Sequence, residues 1–158
     1  MKKKKDIELN LGKPHHGWVP IEFKSDEFEL SFISSKIPES PTDKMCDALI
    51  LCLNNVESEF RWNLEPDIYF FKLTPKENLI NISISQSNSS EIKDLIYEFD
   101  GDFNSVILPM YRSLKEFDTL EYGQADWIKI EQTRLNKLTA LVTDKKTAYN
   151  KSNRCTSL

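Results

Sequence analysis

The chain has 158 residues, of which 39% are apolar and 29% charged, with a formal net charge of −4; this suits one domain and is too short for a barrel enzyme or a two-domain dehydrogenase. No apolar run approaches the roughly 18 residues that span a bilayer. Lys2 to Lys5 lead into Asp6 and Glu8 instead of the apolar stretch of a secretion signal, so the expectation is a cytoplasmic protein that enters no membrane.

Residues 1–13 read as a basic tail. Trp18-Val19-Pro20-Ile21-Glu22-Phe23 then alternates as a strand, Ser25-Asp26-Glu27 turns, and Phe28 to Phe32 alternates again, completing an antiparallel hairpin. Ser40-Pro41-Thr42-Asp43 offers a capping hydroxyl, a first-turn proline and an acid, the chemistry of a helix start. Met45, Leu49, Cys52, Leu53 and Val56 then share a helical face, with an end near Asn54-Asn55.

Phe60, Trp62 and Leu64 alternate with polar neighbours, Glu65-Pro66-Asp67 interrupts, and Ile68 to Leu73 forms the next strand. After a turn at 74–78, Ile80, Ile82 and Ile84 alternate with Asn81, Ser83 and Ser85 in a clear period of two. Residues 92–99 fit a strand face or a helix face equally; the stop at Asp100-Gly101-Asp102 favours a strand. Phe103, Val106, Ile107, Met110, Leu114 and Phe117 recur at helical spacing, with Pro109 set to kink or delay that helix. A last helix over 125–142 turns Ile128, Leu135, Leu138 and Leu141 or Val142 inward, and 144–158 forms a polar basic tail. The order ββαβββ(β)αα describes an α+β fold with a mostly antiparallel sheet of five or six strands and helices on one face, in a single domain over 14–143.

The net charge conceals a division. Each tail carries +3, which leaves −10 on residues 14–143. A body of that sign attracts cationic partners and repels nucleic-acid phosphates, although plain solubility accounts for it equally well. Cys46, Cys52 and Cys155 are too few for a disulfide framework and read as reduced thiols; Cys46 and Cys52 are six residues apart on the helix and do not share a face as a metal pair would.

Known chemistries find little support. The four glycines, at 12, 17, 101 and 123, make neither a phosphate loop nor a dinucleotide fingerprint. Asp100-Gly101-Asp102-Phe103-Asn104 starts like a calcium loop but has Ser105 where glycine belongs and Tyr111 where a bidentate glutamate belongs, so a helix-capping turn is the better account. His15 and His16 are the only histidines, adjacent in a loop where their side chains are expected to diverge, and no neighbouring cluster completes a metal site. Any histidine-dependent enzyme mechanism would use one of these two. Phe70 and Phe71 point to opposite faces of a regular strand, so one of them is a candidate binding anchor unless both faces are covered.

Gly17-Trp18-Val19-Pro20 at the first hairpin, and Arg61-Trp62-Asn63-Leu64-Glu65-Pro66 followed by Tyr69, resemble small bacterial α+β proteins of the interbacterial-toxin immunity type. The resemblance covers about residues 17–85, rests on a strand-seating tryptophan and a Glu-Pro turn, and offers no catalytic residues. It implies a non-enzymatic protein that binds a toxin, needing no cofactor and no metal, and the acidic body implies that the toxin domain is basic. Candidate partner-binding residues are Asp26, Glu27 and Glu29 at the hairpin, Glu98, Asp100 and Asp102 at the later turn, and Phe70. A small enzyme built on the His15-His16 loop, or a structural or adaptor subunit, are the alternatives.

Overall fold

The computed structural model describes residues 6–88 and 92–156, with side chains as far as residue 148. Lys2 to Lys5 and the side chains of Lys151, Arg154 and Cys155 lie outside the described residues. Seven strands form one antiparallel sheet in chain order: β1 (Glu8–Leu11), β2 (Trp18–Ser25), β3 (Phe28–Ser35), β4 (Ser58–Asn63), β5 (Asp67–Lys76), β6 (Leu79–Asn88) and β7 (Asp94–Gly101). Three helices, α1 (Pro41–Leu53), α2 (Leu108–Asp118) and α3 (Gln132–Thr156), complete an α+β fold.

The strand count exceeds the expected five or six because residues 8–11, assigned from sequence to a basic tail, form β1. Ile7 and Leu9 are buried there while Glu8 and Asn10 face outward, the period of two that a half-buried strand requires. Of residues 92–99, all but Ile92 and Lys93 belong to β7, where Ile96 is bulged out of the ladder between the Ile84–Tyr97 and Ser85–Leu95 pairs.

β3 and β4 meet at one residue pair only, Ser35 with Asn63. The sheet bends at this seam and wraps an aromatic core. Phe23 of β2 lies 5.7 Å from Phe71 of β5, Phe32 of β3 lies 4.7 Å from Tyr69, and Phe28 stacks on Tyr97 of β7 at 4.3 Å. The inward residues Ile21, Phe23, Phe32, Phe60, Trp62, Phe71, Leu73, Ile82 and Ile84 are all buried.

The chain leaving β7 bridges from that edge to β1. A π-helical turn over Phe103–Ile107 packs on β6 and β7 and leads directly into α2, which lies along β1. Asp102 starts it by accepting a hydrogen bond from the Ser105 amide at 2.8 Å, the capping role that the sequence favours over calcium. Pro109, expected to kink or delay the helix over 103–117, sits in the first turn of α2, just after the π-helical turn ends at Ile107. Proline has no N–H to give to the Ser105 carbonyl four residues earlier, and that carbonyl accepts from the Ile7 amide instead, at 3.0 Å. Gly101 belongs to the same junction: a Cβ there would sit 2.6 Å from the Phe99 ring and 2.9 Å from Val106.

Helix α1 starts as its sequence dictates, with Ser40 Oγ accepting from the Asp43 amide at 3.4 Å, and ends at Leu53 with Asn54 as its cap. Val56, placed from sequence on its apolar face, lies beyond that end and is exposed. One side of α1 meets β4 and β5, where Ser58 Oγ donates to the Ala48 carbonyl at 2.7 Å. Its other side meets α3, whose Arg134 reaches Asp47 at 3.3 Å. The last helix starts seven residues later than expected, because 125–131 is a loop that buries Trp127 and Ile130 and exposes Ile128; it also runs to Thr156, through the segment read as a tail.

Burial on both sides of α1 explains why Cys46 and Cys52 are both sequestered although they point in different directions. Desolvation pushes the Cys46 thiol up to about 12 and the Cys52 thiol up to about 11, from an ordinary value of 9.0. Neutral burial of these thiols stabilises the fold fully below about pH 9, and that contribution is lost as the pH rises and the unfolded thiols ionise. In a Cys155→Ser variant we expect no labelling by a disulfide reagent at pH 8 until denaturant is added, and a denaturation midpoint that falls above pH 9. Rapid labelling of the native protein would refute the burial.

Candidate binding site: an acidic groove beside the first strand

Three separate segments build a cavity of about 630 Å³. β1 and the residue before it contribute Asp6 and Glu8. The β2–β3 hairpin contributes Lys24, Ser25, Asp26 and Glu29, with Asp26 in the left-handed backbone region at φ 52°, where aspartate and asparagine are tolerated. Helix α2 contributes Pro109, Arg112, Ser113 and Glu116, whose spacings of three, one and three place them on one helical face. The lining therefore holds five carboxylates against two cations.

Lys24 is already engaged. Its ammonium lies 2.8 Å from Glu22, and its pKa is raised first by that hydrogen bond and charge, then by the charges of Glu29 and Glu8. Arg112 is exposed and has no acid within 4 Å among the described residues. Ser113 is only 4% exposed, and its Oγ has no hydrogen-bond partner among the described residues. A buried hydroxyl left in that state is unfavourable, because burial removes its water and nothing replaces it.

No protein-family model and no curated protein matches the chain. A solved structure does: a chain of the "CdiA-CT/CdiI toxin and immunity complex from Enterobacter cloacae" is similar at a TM-score of 0.44 and 14% identity, over 71% of this chain and 99% of that one. The complex includes an immunity protein, the type that residues 17–85 resemble.

Of the residues singled out from sequence, Asp26 and Glu29 line the groove, and Glu27 is exposed beside them at the hairpin turn. The second acidic trio does not join them. Glu98 points outward on β7, opposite Ser83. Asp100 accepts from Asn81 Nδ2 at 2.9 Å and lies 3.7 Å from Lys76 Nζ, and Asp102 is the cap of the π-helical turn. Phe71 is fully buried, which sends Phe70 to the outer face; there Lys93 covers its ring at 4.0 Å and bonds to Glu59 at 3.1 Å. Sequence reasoning missed Asp6, Glu8, Arg112, Ser113 and Glu116. The alternation of Ile7, Glu8, Leu9, Asn10 and Leu11 signals β1, but the lysine run before it draws the segment into a tail.

The histidines do not diverge as expected. Their ring centres are 3.9 Å apart, with His16 at φ 50°. Asp126, far along the chain, accepts from the His16 amide at 2.9 Å and has its carboxylate 3.9 Å from His15 Nδ1. That amide bond is the main reason the Asp126 carboxyl is held below its usual range. Gly17 N donates to the Asp126 carbonyl at 2.8 Å as well, so the arrangement ties the loop before β2 to the loop before α3. No helix among the described residues is long and apolar enough to cross a membrane.

Proposed function

We propose that this chain is a non-enzymatic binding protein, an immunity protein that neutralises a cognate toxin by covering a basic surface of the toxin domain. The observation that carries the reading is the groove: five carboxylates from three segments line one concavity. Residues 6–156, which the described fold includes, carry −8 once Lys2 to Lys5 are set aside from the net −4, and this supports the reading at longer range. Such a field speeds encounter with a cationic surface and disfavours anionic competitors, and contact at the groove then excludes whatever the basic surface would otherwise bind.

Co-expression with the product of the adjacent gene tests the proposal. Cells survive that product when this chain is present, the two proteins co-purify, and their association weakens as salt rises. A His15→Ala/His16→Asn variant, with asparagine chosen to tolerate the positive φ, protects as well as the native chain. Failure to protect or co-purify overturns the proposal. Protection lost on replacing the histidines of a folded protein moves the function to their loop.

A further inference from the structure

We infer that the free edge of β7 takes up an extended segment of a basic partner as an eighth strand, one that alternates apolar residues with lysine or arginine. This rests on the reading of the chain as a binder of a basic protein, and goes further by naming a second contact and the sequence pattern that fits it. The two edges of the sheet differ. β1 is four residues long and has α2 packed along it, and Ile7 just before it already donates to the Ser105 carbonyl. β7 is eight residues long and pairs with β6 alone; among the described residues no backbone hydrogen bond is made on its far side. Alternate residues of an edge strand turn their N–H and C=O groups away from the sheet, which makes such an edge a template for another strand.

The side chains decide what kind of strand fits. On the inner face the core thins out toward this edge: Ile82 and Ile84 of β6 are fully buried, whereas their partners Phe99 and Tyr97 are only partly covered, as is the bulged Ile96. Apolar residues of an added strand, set beside Tyr97 and Phe99, complete that layer. On the outer face Glu98 lies opposite Ser83 and has no ion-pair partner among the described residues. A lysine or arginine beside it supplies the missing cation. The regular stretch available for pairing runs from Tyr97, past the bulge, to Gly101. A second copy of this chain fits poorly there. Antiparallel pairing of two β7 strands centred on Tyr97 sets Asp94 opposite Asp100, and pairing centred on Glu98 sets that carboxylate against its own copy. Like charges so placed repel, so the edge excludes its own kind and stays open to a strand of opposite charge.

Titration of the full chain with a fluorescent peptide in which lysine alternates with valine tests the inference, beside a peptide of the same composition with its lysines and valines in separate blocks. The native chain binds the alternating peptide at least about fivefold more tightly than the block peptide. Amide hydrogen exchange in the complex slows at alternate residues between Tyr97 and Gly101, and is unchanged at Asp26 and Glu27 of the exposed hairpin turn. Glu98→Lys, at an exposed position, leaves the melting temperature unchanged, weakens binding of the lysine peptide by about tenfold or more, and lets the chain bind the counterpart in which glutamate replaces lysine. The same change of charge in the loop after α2, Glu121→Lys, alters binding less than about twofold. No binding by the native chain, equal affinity for the alternating and block peptides, or slowed exchange at the hairpin instead of β7 would each overturn the inference. Repeating the protection assay separates the two proposals. A folded Glu98→Lys chain that protects fully sinks the β7 assignment and leaves the immunity reading standing; a native chain that takes the alternating peptide at β7 but fails to protect does the reverse.

Discussion

Replacing Phe71 by alanine lowers the unfolding free energy by about 3–5 kcal/mol, a large share of the roughly 5–15 kcal/mol that holds a domain together. Phe71 is fully buried at the centre of the bent sheet. Its ring lies 5.7 Å from Phe23, 6.5 Å from Phe32, 5.4 Å from Phe60 and 6.3 Å from Trp62, so it contacts both halves of the sheet at once. These halves share a single backbone pair at the seam, and the ladder cannot compensate for a missing ring. Phe71→Leu keeps most of the volume and loses roughly half as much or less. Urea denaturation measures both variants; a loss under 1 kcal/mol for alanine would mean that the rings around it do not hold the halves together. Phe70→Ala, one residue away on the outer face, costs far less, since it removes one contact with Lys93 rather than the centre of a core.

Trp127→Ala has a comparable effect, about 3–5 kcal/mol, through a different part of the molecule. Trp127 is fully buried although it lies in the loop between α2 and α3. Its indole N–H donates to Thr42 Oγ1 at 3.2 Å, and its ring meets Phe117 edge-on at 6.2 Å. Neighbouring bonds follow from its placement: Glu131 N donates to Asp43 Oδ1 at 3.0 Å, and Lys36 Nζ to the carbonyls of Gln124 and Ala125 at 3.4 Å. Trp127→Phe keeps a ring against Phe117 and forfeits chiefly the hydrogen bond, for about 1 kcal/mol plus the smaller volume. Thermal unfolding ranks the two variants, and limited proteolysis near Gly123 speeds up in the alanine variant alone. Unchanged proteolysis there would show that the loop is held by its polar bonds and not by the tryptophan.

Where a segment's own pattern decides its structure, the sequence was legible. Ile80, Ile82 and Ile84 alternate because β6 has one buried face, and Ser40-Pro41 begins α1 because its hydroxyl and ring suit the first turn whatever surrounds them. The last helix was misplaced because its apparent apolar face continued backwards into 125–131, where packing of Trp127 against α1 overrides periodicity. The break at Pro109 was visible, but its consequence was not: the freed Ser105 carbonyl finds Ile7 nearly a hundred residues away. The groove lay beyond sequence for the same reason. Asp26 and Glu29 were marked by their local density of charge, whereas Glu116 and Ser113 become relevant only when α2 docks on β1, a contact no local pattern encodes.

If the groove is the binding site proposed above, the bond from Ile7 to Ser105 ties the state of folding to the capacity to bind. The walls of the groove come from residues near 6, 26 and 112; the first two belong to one β1–β2–β3 meander, whereas the third, in α2, follows much later in the chain. Contacts so far apart in sequence form late, after the hairpins and helices that need only neighbours. A partly folded chain would thus carry the charge without the cavity, attracting cations without gripping one. Conversely, an occupant of the groove holds the first strand to the second helix, and its binding free energy is added to the stability of the whole fold rather than to a local element.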